Sequence, residues 1–191
     1  MSSHHIIREN QEPALLIDDL NAVPLPYFEQ LLEWSPTILT GDDALIQLQA
    51  HGIKVDVWFT RKKEATPPPQ DHLLIIPAGP AWMDTALDHL IARGHRAVNV
   101  LSETSSVLEL MYRYADRIDI VLLGNEQRIV VAKPGLNKWK PAGETIWLYG
   151  ESNGVVTEGL IRRGANEYVT QQDGFFSVTF SGSYGLVGER L

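Results

Sequence analysis

A chain of 191 residues is long enough for one sizeable core or for two small domains that share an interface. Its 24 acidic residues against 16 Lys and Arg leave a net charge of -8, so neither nucleic acid nor an anionic membrane is expected as a partner. The absence of cysteine excludes disulfides, thiolate nucleophiles and Cys-ligated zinc; strand-length apolar runs and a polar first ten residues give no transmembrane helix and no signal peptide, and the reading is a cytoplasmic protein.

His4 and His5 make a poor metal site, because nothing nearby in the sequence completes a ligand set. Ala14 to Asp18 (ALLID) predicts a short apolar strand. PYFEQLLEW, Pro26 to Trp34, predicts an amphipathic helix with Phe28, Leu31, Leu32 and Trp34 on or near one face and Pro26 in the first turn. Pro36 to Thr40 is a second strand; GDDALIQLQAHG is a helix with an acidic start and a stop at Gly52; Val55 to Phe59 is a third, buried strand. Directly after it stand Thr60, Arg61, Lys62 and Lys63, then a stiff Pro67-Pro68-Pro69.

His72 to Pro77 is a fourth strand. Ala81 to Gly94 is a helix with Met83, Leu87, Leu90 and Ile91 inward and Gly94 as its stop. Ala97 to Leu101 is a fifth strand, followed by a helix that Ser102 or Thr104 is placed to cap. The rhythm predicts a Rossmann-like, mostly parallel sheet with helices on both faces. Near Ile118 it changes. IDIVLLGNEQRIVVAKPG reads as two strands around a Gly124–Gln127 turn, and the remaining segments are short, β-branched or aromatic, and punctuated by Gly, Asn and Asp. The prediction is α/β plus all-β: residues 1–117 form the parallel-sheet domain and residues 118–191 an antiparallel β-sandwich.

Three groups of residues carry candidate chemistry. Asp42 and Asp43 follow the second strand, where two carboxylates either hold Mg²⁺ with a substrate phosphate or serve the helix start. Thr60, Arg61, Lys62 and Lys63 follow the third strand, where three cations either meet a di- or triphosphate or form a solvated loop. Asp84 and Asp88 share one helix face, with His89 one position off it. No glycine-rich phosphate loop and no nucleophile elbow is present.

The organisation resembles thiamine pyrophosphokinase from about Ala14 to Val187. LTGDDALIQLQAHGIKVDVWF is similar to that family's Asp-Gly-Gly-Ala segment, with Asp42, Leu48, Gly52, Ile53 and Asp56 in matching places. DTALDHLIARGHRAVNVL resembles its following helix–strand unit, and IDIVLLGNEQRIVVAKPG and VVTEGLIRRG resemble the hairpin and the Thr-x-Gly-Leu segment of its thiamine-binding β domain. The resemblance implies a nucleotide-binding-like first domain, a thiamine-binding-like second domain and a homodimer. It also implies transfer of pyrophosphate from ATP to thiamine with Mg²⁺: Asp42 as metal ligand, Asp42, Asp43 and Asp84 as the acidic set, and Thr60, Arg61, Lys62 and Lys63 on the nucleotide.

The departures point the other way. Where the family carries Gly-Asp-Phe-Asp-Ser, this chain has Thr60-Arg61-Lys62-Lys63-Glu64; the family's Asp-x-Thr-Asp falls on Gly79-Pro80-Ala81-Trp82. Cations in place of carboxylates repel Mg²⁺. Two functions therefore follow: a thiamine pyrophosphokinase of weakened or lost activity, or a non-catalytic relative that binds a nucleotide, thiamine diphosphate or another anion as a sensor or interaction protein.

Overall fold

The computed structural model describes residues 12–64, 66–150 and 154–191; His4 and His5 lie outside them. The first half alternates strands β1 (Ala14–Ile17), β2 (Ile38–Thr40), β3 (Val57–Thr60), β4 (Leu74–Pro77) and β5 (Ala97–Leu101) with helices α1 (Leu25–Leu32), α2 (Asp42–Ala50), α3 (Trp82–Ala92) and α4 (Ser106–Tyr114). Then come β6 (Asp119–Gly124), β7 (Gln127–Ala132), β8 (Leu136–Lys140), β9 (Thr145–Tyr149), β10 (Val156–Glu158), β11 (Leu160–Arg162), β12 (Glu167–Thr170), β13 (Gly174–Thr179) and β14 (Gly185–Arg190). Among the described residues no helix is long and apolar enough to cross a membrane.

Strands β6-β5-β1-β2-β3-β4 lie side by side and parallel. Every strand of this group is short and apolar, which suits burial on both faces. Alternate residues of β1 divide between the two faces: Leu15 and Ile17 pack with Phe28 of α1 and Leu45 and Leu48 of α2, whereas Ala14 and Leu16 pack with Leu87 and Leu90 of α3 and Met111 of α4. The expected doubly covered parallel sheet is what forms.

The sheet does not stop at residue 118. β6 pairs in parallel with β5 and antiparallel with β7, and β7-β14-β9-β12-β11 continue the same eleven-stranded sheet. A second sheet, β10-β13-β8, lies over this antiparallel part. Phe176 and Val178 of β13 meet Ala132, Ile146, Tyr168 and Val187 of the long sheet in a shared core. Glu189 of the long sheet reaches Lys138 and Lys140 of the short one, the latter at 2.7 Å, so an ion triad also links the layers. This is the expected antiparallel sandwich.

Several local expectations shift. Strand β3 begins at Val57 rather than Val55 and includes Thr60, which is buried. Helix α1 ends at Leu32, and Trp34 lies beyond it, 68% exposed, before a positive-φ Ser35; it does not share the buried face. Neither Ser102 nor Thr104 caps α4 through its side chain; Ser105 occupies the cap position without a side-chain bond. Phe175 and Phe176, neighbours on β13, face opposite ways, at 70% and 1% exposed. The Gly124–Gln127 turn is a two-residue hairpin loop in which Asn125 and Glu126 both have positive φ (50° and 59°), as a type I′ turn requires.

Candidate functional site

Strands β2, β3 and β4 are added successively on one side of β1, and the chain then crosses to the other side to place β5. In open α/β sheets the crevice outside the carboxyl ends of the strands at such a reversal is where ligands bind. The rim of this sheet carries Asp18 after β1, Asp42 and Asp43 after β2, Thr60 to Lys63 at the end of β3, and Ser102 to Thr104 after β5.

The centre of the rim is a closed knot around Asp42. One carboxylate oxygen, Oδ1, accepts hydrogen bonds from Thr60 Oγ1 at 2.7 Å and Trp58 Nε1 at 3.1 Å. The other, Oδ2, accepts the Arg61 backbone N–H at 3.0 Å and has Arg61 Nε at 3.6 Å. Arg61 also reaches Asp43, Nη2 to Oδ2 at 3.7 Å. Burial pushes the Asp42 carboxyl up, but the hydrogen bonds from Arg61, Thr60 and Trp58 and the charge of Lys62 outweigh it, and the group sits below its ordinary value. Asp42 does not cap α2: Gly41 holds the cap position with no side-chain bond, and the carboxylate turns instead towards β3. A Cβ at Gly41 would lie 2.9 Å from the Trp82 ring, so glycine lets the first residue of α3 close over the start of α2.

A second cluster lies across the reversal point. Ser102 Oγ donates to Asp18 Oδ2 at 2.7 Å, Thr104 Oγ1 to the same oxygen at 3.4 Å, and the Thr104 N–H to Ser102 Oγ at 3.1 Å. The backbone there is tight: a Cβ on Gly124 would fall 2.1 Å from the Ser102 carbonyl oxygen. Asp18 is a rim residue that the motif reading passed over, and Ser102 is one that it read only as a helix cap. The available signal was position, since Asp18 and Ser102 each stand one residue beyond a strand that flanks the crossover.

The structure thus brings Asp42, Asp43, Thr60 and Arg61 together. Lys62 and Lys63 are exposed beside them, Lys62 donating its backbone N–H to Thr60 Oγ1 at 3.1 Å. Asp84 has other partners: it pairs with Arg113 of α4 at 2.8 Å and lies 3.4 Å from the Tyr114 hydroxyl, while Asp88 pairs with Arg117 at 2.8 Å. The shared face of Asp84 and Asp88 forms ion pairs with α4 and the turn that follows it.

A magnesium ion requires open oxygen ligands. Both Asp42 oxygens already face donors, and the exposed Asp43 faces Arg61. Among the described residues no group of three or more His, Asp or Glu is placed to share a metal. The residues present do not fit the ion.

No family model matches the sequence, and no curated protein matches it. Solved structures do. Thiamine pyrophosphokinase from Bacillus subtilis superposes with a TM-score of 0.67 at 14% identity, covering 94% of this chain and 99% of that one. Thiamin pyrophosphokinase from Geobacillus thermodenitrificans gives 0.69 at 14% identity over 94% and 98%. The enzyme from Candida albicans gives 0.62 at 10% identity over 94% and 90%. A parallel sheet that continues into a β-sandwich, with its rim at the crossover, is therefore the thiamine pyrophosphokinase fold in this chain.

Proposed function

We propose that this chain is a non-catalytic protein of the thiamine pyrophosphokinase fold that binds a phosphate-bearing ligand at the carboxyl rim without metal. The saturated Asp42 carboxylate carries the reading. Pyrophosphoryl transfer depends on positioned positive charge, usually Mg²⁺, at the phosphates. Here the part-buried Asp42 carboxylate is spent on Trp58, Thr60 and Arg61. Arg61 is in turn neutralised by Asp42 and Asp43, which leaves Lys62 and Lys63 as the exposed cations for a phosphate.

The polarity of the rim favours one ligand among those considered. Asp18 and Asp19 follow β1 and Glu103 follows β5, two or three strand spacings from the lysines, on the order of 10–14 Å. Thiamine diphosphate has a cationic ring system and a diphosphate, and it matches a surface with acids at one end and lysines at the other. A metal-free nucleoside triphosphate, anionic throughout its charged part, meets that surface less well.

The test has two arms. With ATP, Mg²⁺ and thiamine, the purified protein releases no AMP above blank. In the presence of EDTA, calorimetry shows thiamine diphosphate binding, and the double change Lys62→Ala and Lys63→Ala weakens it about tenfold or more, ~1.4 kcal/mol. Multiple-turnover AMP formation that depends on thiamine, or loss of diphosphate binding on removal of Mg²⁺, overturns the proposal.

A further inference from the structure

A cavity lies where α4 meets the open end of the β-sandwich, and none of the rim residues lines it. It measures about 360 Å³, at the lower end of the range for small-molecule sites. Val178 of β13 and Leu186 and Val187 of β14 line it, each 1% exposed, with Leu186 and Val187 on opposite faces of the sheet. Its walls include the rings of Tyr112 from α4, Tyr149 from β9, and Phe180. Four separate segments of chain converge on it.

The rings are held in place rather than left to fill the space. Tyr112 donates its hydroxyl to the Tyr149 carbonyl at 2.9 Å, and Tyr149 donates its own to Gln127 Oε1 at 2.5 Å. Two glycines make room for them. A Cβ on Gly150, whose φ is +112°, would lie 2.2 Å from the Tyr112 hydroxyl oxygen, and one on Gly185 would lie 2.9 Å from the Phe180 ring. The hydroxyls of Tyr112 and Tyr149 are therefore engaged with the protein, as is that of the third lining tyrosine, Tyr184, which donates to the Asp116 carboxylate.

None of the described residues that line the cavity is Asp, Glu, Lys, Arg or His. Among the described lining residues none offers a charged ligand a direct counter-charge for the hydration it would lose, which is costly. A neutral flat ring would bury apolar surface of the part-buried Leu148, Tyr149, Val155 and Phe180 and meet aromatic walls at stacking or edge contact. The hydroxyl of Ser181 supplies a polar group at the mouth.

We infer that this cavity is a binding site for a neutral, flat aromatic or heteroaromatic small molecule, separate from the rim. The inference does not depend on what the rim binds.

The experiment uses the full chain and N-phenyl-1-naphthylamine, an uncharged fluorescent aromatic probe. Its emission should rise and shift to the blue with saturation at one probe per chain, and thiamine diphosphate should not displace it. In methyl NMR spectra, the probe should shift signals of Leu148, Val178, Leu186 and Val187. Ser181→Trp, a change at an exposed mouth position, should weaken the probe at least tenfold. Should that variant fail to fold, the NMR map on the unmodified chain decides alone. Absence of saturable binding, displacement by thiamine diphosphate, or NMR shifts confined to residues outside this cavity each overturns the inference.

Discussion

Asp42 is the residue on which the chemistry of the rim turns. A carboxylate at the start of a helix ordinarily faces solvent or the helix N–H groups; this one is held by three donors on β3 and the residue after it. Hydrogen bonds to an ionised group are worth about 1.5–3 kcal/mol, so Asp42→Asn should lower unfolding free energy at pH 7 by roughly that amount. The pH dependence has a definite sign. The folded carboxyl sits below its ordinary value, so its stabilisation is fully present above the unfolded pKa of about 3.9 and is lost as pH falls through the folded value. Urea midpoints at pH 7 and pH 3 should converge between wild type and Asp42→Asn on acidification. A difference that stays constant with pH would mean that the charge contributes nothing. None of this was legible from residues 42 and 43 alone, because Trp58, Thr60 and Arg61 are 16 to 19 positions away and meet Asp42 only once β2 and β3 lie side by side.

At the level of elements, the order of strands and helices was readable because Gly, Pro and apolar runs divide the chain clearly. The ends were less so. Val55 is buried yet lies outside β3, and Thr60, polar and reading as the first loop residue, is the last buried residue of the strand because Asp42 accepts its hydroxyl. The Asp84–Asp88 face was visible as a pair, but its partners Arg113 and Arg117 stand on and just beyond the next helix. Asp84→Asn should therefore cost no more than about 1 kcal/mol and leave the thiamine diphosphate affinity proposed for the rim unchanged. A fall in diphosphate affinity of tenfold in that variant would place Asp84 in the site after all. The β6–β7 hairpin offers the opposite case, a place for improvement. Glu126 holds φ at 59°, a conformation that costs a side chain energy and glycine little. Relief of about 1–2 kcal/mol of left-handed strain exceeds the roughly 0.5–1 kcal/mol that glycine costs through the unfolded state, so Glu126→Gly should raise the thermal midpoint.

Across the whole molecule, the expected halves are joined by backbone pairing as well as by contact. β6 shares five register pairs with β5 and four with β7, so a chain ended at residue 117 would leave the apolar β5 without a neighbour on that side. Such a fragment should be insoluble or unfolded, whereas the intact chain should unfold in one calorimetric transition with matching van't Hoff enthalpy. Two resolved transitions would show that the halves are energetically independent. The change of rhythm near Ile118 revealed the switch from parallel to antiparallel pairing. It did not reveal that one sheet carries both, since a strand's sequence does not say on which side its partners lie.

The far end of that sheet has a consequence of its own. β4 is its last strand on the parallel side, and Leu74 and Ala78 direct their N–H groups inward to Asp56 and Thr60. By the two-residue period of a strand, positions 75 and 77 direct theirs outward. Position 77 is Pro77, which has no N–H, so β4 offers solvent a single donor, that of Ile75. A neighbouring chain seeking to extend the sheet finds an incomplete template, and one imino acid protects a hydrophobic border from filament-like growth.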